Sequence, residues 1–168
     1  MSAAPEACPC GRKDARGRPL AFARCCGPYL ADFEGRPAPD AESLMRSRYS
    51  AFALGDAAYL RATWHPTTRP RTLHLDPDVR WTGLDVLATS GGSLLEAEGT
   101  VEFRAHYVAA GQPGSQHELS RFVRDAGAWR YLDGVAQPAE SSAVRADRPA
   151  IVRSRRRSGT SHHRATTT

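Results

Sequence analysis

From residue 40 to residue 135 the hydrophobic positions change period once, from a helical repeat to strict alternation. Leu44, Ser47, Arg48 and Ala51 fall on one helical stripe, and Met45, Tyr49 and Phe52 on the adjacent one. Together they predict an amphipathic helix over about residues 41–54. Asp40 is placed to cap it, with Ser43 as a second candidate. Gly55-Asp56 ends this helix and caps a second, short one over about 57–64, with Tyr59, Leu60 and Thr63 turned inward. Pro66 and Pro70 stop it.

The second half alternates. Trp81, Gly83, Asp85 and Leu87 interleave with Thr82, Leu84, Val86 and Ala88. From Leu95 the pattern is cleaner: Leu95, Ala97, Gly99, Val101, Phe103, Ala105 and Tyr107 share one face, while Glu96, Glu98, Thr100, Glu102, Arg104 and His106 share the other. Period two over that length predicts a long antiparallel strand with one solvated face. Gly111 to Ser115 reads as a turn, 116–124 as a third strand, and Trp129 to Val135 as a fourth beyond Asp125-Ala126-Gly127. Two helices followed by four strands is an α+β order, with helices packed on one face of a curved antiparallel sheet. Asp32 to Asp40, with two prolines and a glycine, reads as a linker. The divisions are therefore residues 1–31, the linker 32–40, the α+β domain 41–135 and a tail 136–168.

Composition adds little until the charge is divided. The chain has 168 residues, 40% of them hydrophobic and 24% charged, which suits one globular domain with a small appendage. No apolar run reaches the ~18 residues of a membrane span, and Met1 to Glu6 lacks the basic and apolar regions of a secretory signal. The expectation is a cytoplasmic protein. The formal net charge is +5, yet residues 1–135 hold sixteen residues of each sign. The excess belongs to the tail, which has seven arginines and two acids. That tail lacks periodicity and aromatics, so it reads as disordered, with at most weak attraction to nucleic acid.

All four cysteines precede residue 27, as Cys8-Pro9-Cys10-Gly11 and Cys25-Cys26-Gly27-Pro28, with fourteen residues, Gly11 to Arg24, between Cys10 and Cys25. Disulfides that stabilise a fold close loops across it, and these cysteines cannot. Four thiolates suit a closed tetrahedral Zn²⁺ site with no position left for water, hence a structural metal. Pro9 stiffens the first turn, Gly11 supplies a positive φ, and Gly27-Pro28 acts as a chain breaker. Arg12, Lys13, Arg16, Arg18 and Arg24 are near enough in sequence to offset the thiolate charge. A redox-active vicinal pair, Cys25-Cys26, or inert thiols are the alternatives.

Cys-Pro-Cys-Gly with Cys-Cys-Gly-Pro resembles the SEC-C zinc motif. The blocks Leu44 to Phe52, Tyr59-Leu60, Thr63 to Pro66, Trp81 to Leu84, Val101 to Phe103, Ser120 to Phe122, Gly127, Trp129, Tyr131 and Asp133-Gly134 resemble the YchJ family of uncharacterised bacterial proteins. The resemblance covers about residues 8–135. It implies a cystatin-like, nuclear-transport-factor-2-like (NTF2-like) fold behind a small zinc knuckle, and a protein or ribosomal partner for that knuckle. In two respects the chain departs from the pattern. Asp14 to Leu20 lengthens the spacer between the cysteine pairs, and no second cysteine motif stands near the C-terminus.

Folds of this kind enclose a cone between helix and sheet. Its candidate polar residues are Arg46, Arg48, Tyr49, His65, Glu102, Glu118 and Arg121. His65 can titrate near neutral pH or merely cap a helix end. Arg48 and Arg121 are expected to pair with Glu102 or Glu118 and hold helix to sheet; the alternative is that they clamp a small anionic ligand. No phosphate loop, nucleophile elbow or second metal cluster is visible. Two functions follow: a non-enzymatic zinc-stabilised interaction module, or a small-molecule-binding protein or enzyme using the cone.

Overall fold

A computed structural model describes residues 5–137. The tail from residue 138 onward lies outside the described residues. Element order is a 3-10 turn at Phe22–Arg24, then α1 (Gly27–Ala31), α2 (Ala41–Leu54), α3 (Ala57–Ala62), β1 (Val79–Gly91), β2 (Glu98–Ala109), β3 (Gln112–Asp125) and β4 (Ala128–Ala136). The strands form an antiparallel meander in the order β1-β2-β3-β4, and α2 contacts β1, β2 and β4. The α+β expectation is met.

Local signals set the helix bounds. Asp40 Oδ1 accepts from the Ser43 amide at 2.6 Å, and Gly55 closes α2 in the left-handed conformation, φ 74°. Asp56 caps α3 through the Tyr59 amide at 2.9 Å. One expectation fails at α1. Gly27-Pro28 starts this helix instead of breaking the chain, because proline in a first turn forfeits only an amide that has no partner there. Two-residue turns at Ala110-Gly111 and Ala126-Gly127, positive in φ at all four residues, join β2 to β3 and β3 to β4. Their twist matches that of the strands they connect.

The alternation of β2 holds from Gly99 to Ala105, all inward, but Leu95 is 95% exposed and the strand starts only at Glu98. In β1 the alternation breaks. A bulge between Trp81 and Gly83 shifts the register by one, so Leu84 and Val86, not Asp85 and Leu87, share the inner face with Trp81. The core gathers Leu44, Met45 and Tyr49 of α2 with Val101, Phe103, Phe122 and Trp129 of the sheet. Cys8, Cys10 and Cys26 belong to the same buried cluster.

Where β1 and β2 close on α2, two glycines let three backbones meet. A Cβ on Gly99 would stand 2.4 Å from the Gly92 Cα and 2.6 Å from its nitrogen. Both obstacles are main chain and cannot rotate away. Gly99→Val is expected to destabilise the fold by about 2–3 kcal/mol, the upper range for overpacking. Urea denaturation measures it, and an unchanged midpoint would contradict this packing.

Candidate metal centre and domain interior

The N-terminal segment folds back on itself through Cys8 N to Leu20 O and Leu20 N to Arg12 O, both 2.9 Å. Gly11, at φ 67°, turns the chain between these bonds, as its position after the first cysteine pair predicts. The lengthened spacer is an ordered turn. Asp14 Oδ1 accepts from the amides of Arg16 and Arg18 at 2.9 Å, and Asp14 Oδ2 pairs with Arg18. Cys25 follows the 3-10 turn directly, and Cys26 occupies the N-cap position of α1. Two neighbouring residues thus reach one point from opposite sides of a helix break.

The four Sγ atoms all lie within 4.8 Å of one another. Cys8 and Cys10 are 3.4 Å apart, Cys10 and Cys25 3.6 Å, Cys25 and Cys26 3.9 Å. A tetrahedral metal bound to four thiolates at about 2.3 Å sets its sulfurs about 3.8 Å apart. The spacing is far beyond a disulfide bond of about 2.05 Å, and all four cysteines are free. The residues therefore fit a metal ion. Burial and the neighbouring charges of Cys10 and Cys8 push the Cys25 thiol up to about 12, and Cys26 is raised by its contacts with Cys10 and Cys8 and by burial. Like charges so close cannot all ionise unaided, and a bound cation would allow it.

The cluster sits directly on α2. Cys8 Sγ lies 3.7 Å from Ser50 Oγ, and Arg46 Nη1 donates to the Cys10 carbonyl at 3.2 Å. Arg12 reaches across from the knuckle to Glu42 and Ser43, 3.3 Å each, while Arg46 Nε holds the same Glu42 oxygen at 2.7 Å. Arg46, expected in the cone, is thus a knuckle contact. Of the five basic residues expected to offset the thiolates, Arg12 is engaged by α2 and Arg18 by Asp14.

The remaining cone candidates separate. Arg48 is buried; its Nη1 donates to Leu60 O at 2.8 Å and Thr63 Oγ1 at 2.7 Å. Its guanidinium lies 5.1 Å from the Trp64 ring and 4.5 Å from the Tyr131 ring. Burial pulls it down to about 10, partly opposed by Tyr131, Tyr59 and Glu118. Glu118 faces the same interior but is occupied, accepting from Ser120 at 2.6 Å, Gln116 at 2.9 Å and the Tyr131 hydroxyl at 3.2 Å. Tyr49 is buried edge-on to Trp81, and burial raises it to about 12. His65 stands at the rim, its ring on Thr67 and its amide on the Tyr131 carbonyl.

Glu102 and Arg121 leave the cone altogether. Glu102 pairs with His117 at 2.8 Å, and Arg121 makes a two-pronged pair with Asp133 at 2.7 and 2.6 Å. The expected bridge from Arg48 and Arg121 to Glu102 or Glu118 does not form. Alternation puts Arg121 opposite Phe122, and a bulge in the β3–β4 pairing turns Asp133 outward to meet it. Tyr131 and Thr63, which hold Arg48, were not among the sequence candidates; only their place in blocks of aromatic and polar residues marked them.

The family described as "YchJ, middle NTF2-like domain" matches residues 40–134, over half the chain. The chain belongs to the YchJ family. A UPF0225 protein of Polaromonas sp. is 56% identical over 128 residues, spanning 76% of this chain and 91% of that one. Another, from Streptomyces coelicolor, is 52% identical over 127 residues, 76% and 93%. A SEC-C motif containing protein from Rhodopseudomonas palustris, solved in solution, is similar with a TM-score of 0.64 and 34% identity, over 79% of this chain and 99% of that one. The crystal structure of a SEC-C motif containing protein from Psychrobacter arcticus gives 0.63 and 30%, over 88% and 90%. The YchJ domain and the NTF2-like fold inferred from the sequence are thereby established, and the cysteine cluster falls in the segment just before that domain.

Two predictions follow from the pairs. Arg121 and Asp133 lie at the surface, so Arg121→Met should leave the urea midpoint nearly unchanged; a large loss would mean the pair holds the sheet together. Glu42 is partly buried, which favours its neutral form, but the Arg46 and Arg12 bonds prevail and hold it below its ordinary value. Its contribution is complete above the unfolded value near ~4.3 and disappears as pH falls through the lower folded one. The stability difference between the parent and Glu42→Gln should therefore shrink below about pH 4. A difference independent of pH would contradict the assignment.

Proposed function

We propose that this YchJ protein is a non-enzymatic interaction module whose N-terminal knuckle is held by one structural zinc ion. The single observation that carries the reading is the convergence of four cysteine sulfurs within 4.8 Å. An all-sulfur set of four leaves no position for water or substrate, and soft thiolates in tetrahedral array suit zinc. The alternating Cys-Pro-Cys and vicinal Cys-Cys geometry places all four on one point, which a redox pair would not need. The SEC-C names of the two solved relatives accord with this.

The surface the knuckle exposes includes the basic residues Lys13, Arg16, Arg18 and Arg24, of which Arg18 is paired with Asp14. An acidic protein surface, or a ribosomal one, is the partner chemistry such a face fits. The α+β domain then serves as the platform that α2 offers to the knuckle. Elemental analysis of protein purified without added metal should give one zinc per chain, and Cys25→Ser should lose it. A metal-free protein whose four thiols titrate freely while it remains folded would overturn the proposal.

A further inference from the structure

Arg48 places a positive charge inside the domain, and none of the ion pairs among the described residues includes it. It is 3% exposed. A guanidinium offers five N–H donors, yet both Arg48 hydrogen bonds leave from Nη1. Nε and Nη2 have no acceptor among the described residues. Against the same guanidinium lies Trp64, 8% exposed, whose Nε1 is buried without any hydrogen-bond partner. Buried donors in folded proteins are nearly always satisfied, and buried charges are paired. Here a cation that lacks an ionic partner lies on an indole whose N–H lacks an acceptor. The nearby carboxylate does not supply them, because Gln116, Ser120 and Tyr131 occupy Glu118.

We infer that Arg48 and Trp64 form the donor half of an interior site for a small apolar carboxylate. The planar carboxylate matches the unused edge of the guanidinium fork. Trp64 meets Tyr131 edge to face at 4.9 Å and Tyr131 meets Phe122 likewise at 5.8 Å, which provides an aromatic wall for the apolar part of the ligand. Glu118, on the far side of the Tyr131 hydroxyl, limits the site to a single negative charge and so disfavours phosphate. Immediately after Trp64 the chain turns to solvent, with Pro66 to Arg69 exposed and Thr68 tethered to the Leu132 carbonyl. That turn is the route of entry. The site is separate from the cysteine centre and does not depend on which metal occupies it.

The test follows the indole N–H of Trp64 by proton–nitrogen correlation spectroscopy on the full, metal-loaded chain, with the signal assigned by its disappearance in Trp64→Phe. Sodium benzoate and sodium phosphate are the probes. Benzoate should displace the Trp64 signal saturably, and phosphate should not. Binding should weaken about fivefold in Trp64→Phe, which keeps the stack but loses the donor, and about tenfold or more in Arg48→Lys, which keeps the charge but loses the fork. If Arg48→Lys does not fold, the Trp64→Phe comparison decides. A Trp64 signal unmoved by benzoate, one moved only by phosphate, or benzoate binding equal in parent and Trp64→Phe would each overturn the inference. An indole proton that contacts an ordered water and ignores both anions would do the same.

Discussion

Helix α2 is buried around nearly its whole circumference, and the rest of the molecule is arranged to make that tolerable. An ordinary surface helix buries one stripe. Here Ala41, Ser43, Leu44, Met45, Ser47, Arg48, Tyr49, Ser50 and Ala51 are all buried, because the sheet covers one side and the cysteine knuckle another. Four of these residues are polar apart from Tyr49, and each has a partner. Ser43 meets Arg12, Ser47 meets Tyr59 at 2.7 Å, Ser50 meets Cys8, and Arg48 meets Leu60 and Thr63. Leaving any of them unpaired would cost roughly 1–3 kcal/mol, more for the charge.

This arrangement gives the cysteine cluster a structural consequence. A knuckle of some thirty residues has little core of its own, and small metal-bound modules often owe their folding to the ion. By lying on α2, the knuckle contributes Cys8, Cys10 and Cys26 to the same buried cluster as Leu44, Met45 and Trp129. Trp129 in turn donates to the Pro39 carbonyl at 3.2 Å, so the sheet holds the linker that leads into α2. Cysteine cluster, knuckle and sheet are thereby coupled through one helix. The shared core argues that knuckle and domain stabilise each other.

Much of this was readable in the residues. The α2 stripes and their Asp40 cap, the alternation of Gly99 to Ala105 in β2, and the four cysteines each carry a local physical signal that the fold obeys. What could not be read were departures from period. The bulge after Trp81 reverses the faces of β1, and the bulge in the β3–β4 pairing turns Asp133 toward Arg121; Gly83 flanks the first, but the period-two pattern places neither. Partners of buried polar groups were equally hidden. Arg48 bonds to a main-chain carbonyl and a threonine, acceptors that become special only once α3 has packed. The charge of Arg48 invited a search for an acid, and the interior offered aromatic faces instead.

The central claim is that the metal-bound knuckle stabilises α2, and through it the domain. Amide hydrogen exchange of α2, compared between metal-loaded and chelated protein, tests it most directly. Removal of the metal should raise exchange across Ser43 to Ser50, the segment that faces Arg12 and Cys8, well beyond any change in the central strands β2 and β3. Equal protection of α2 with and without metal would show that the helix needs only the sheet, and would contradict the account.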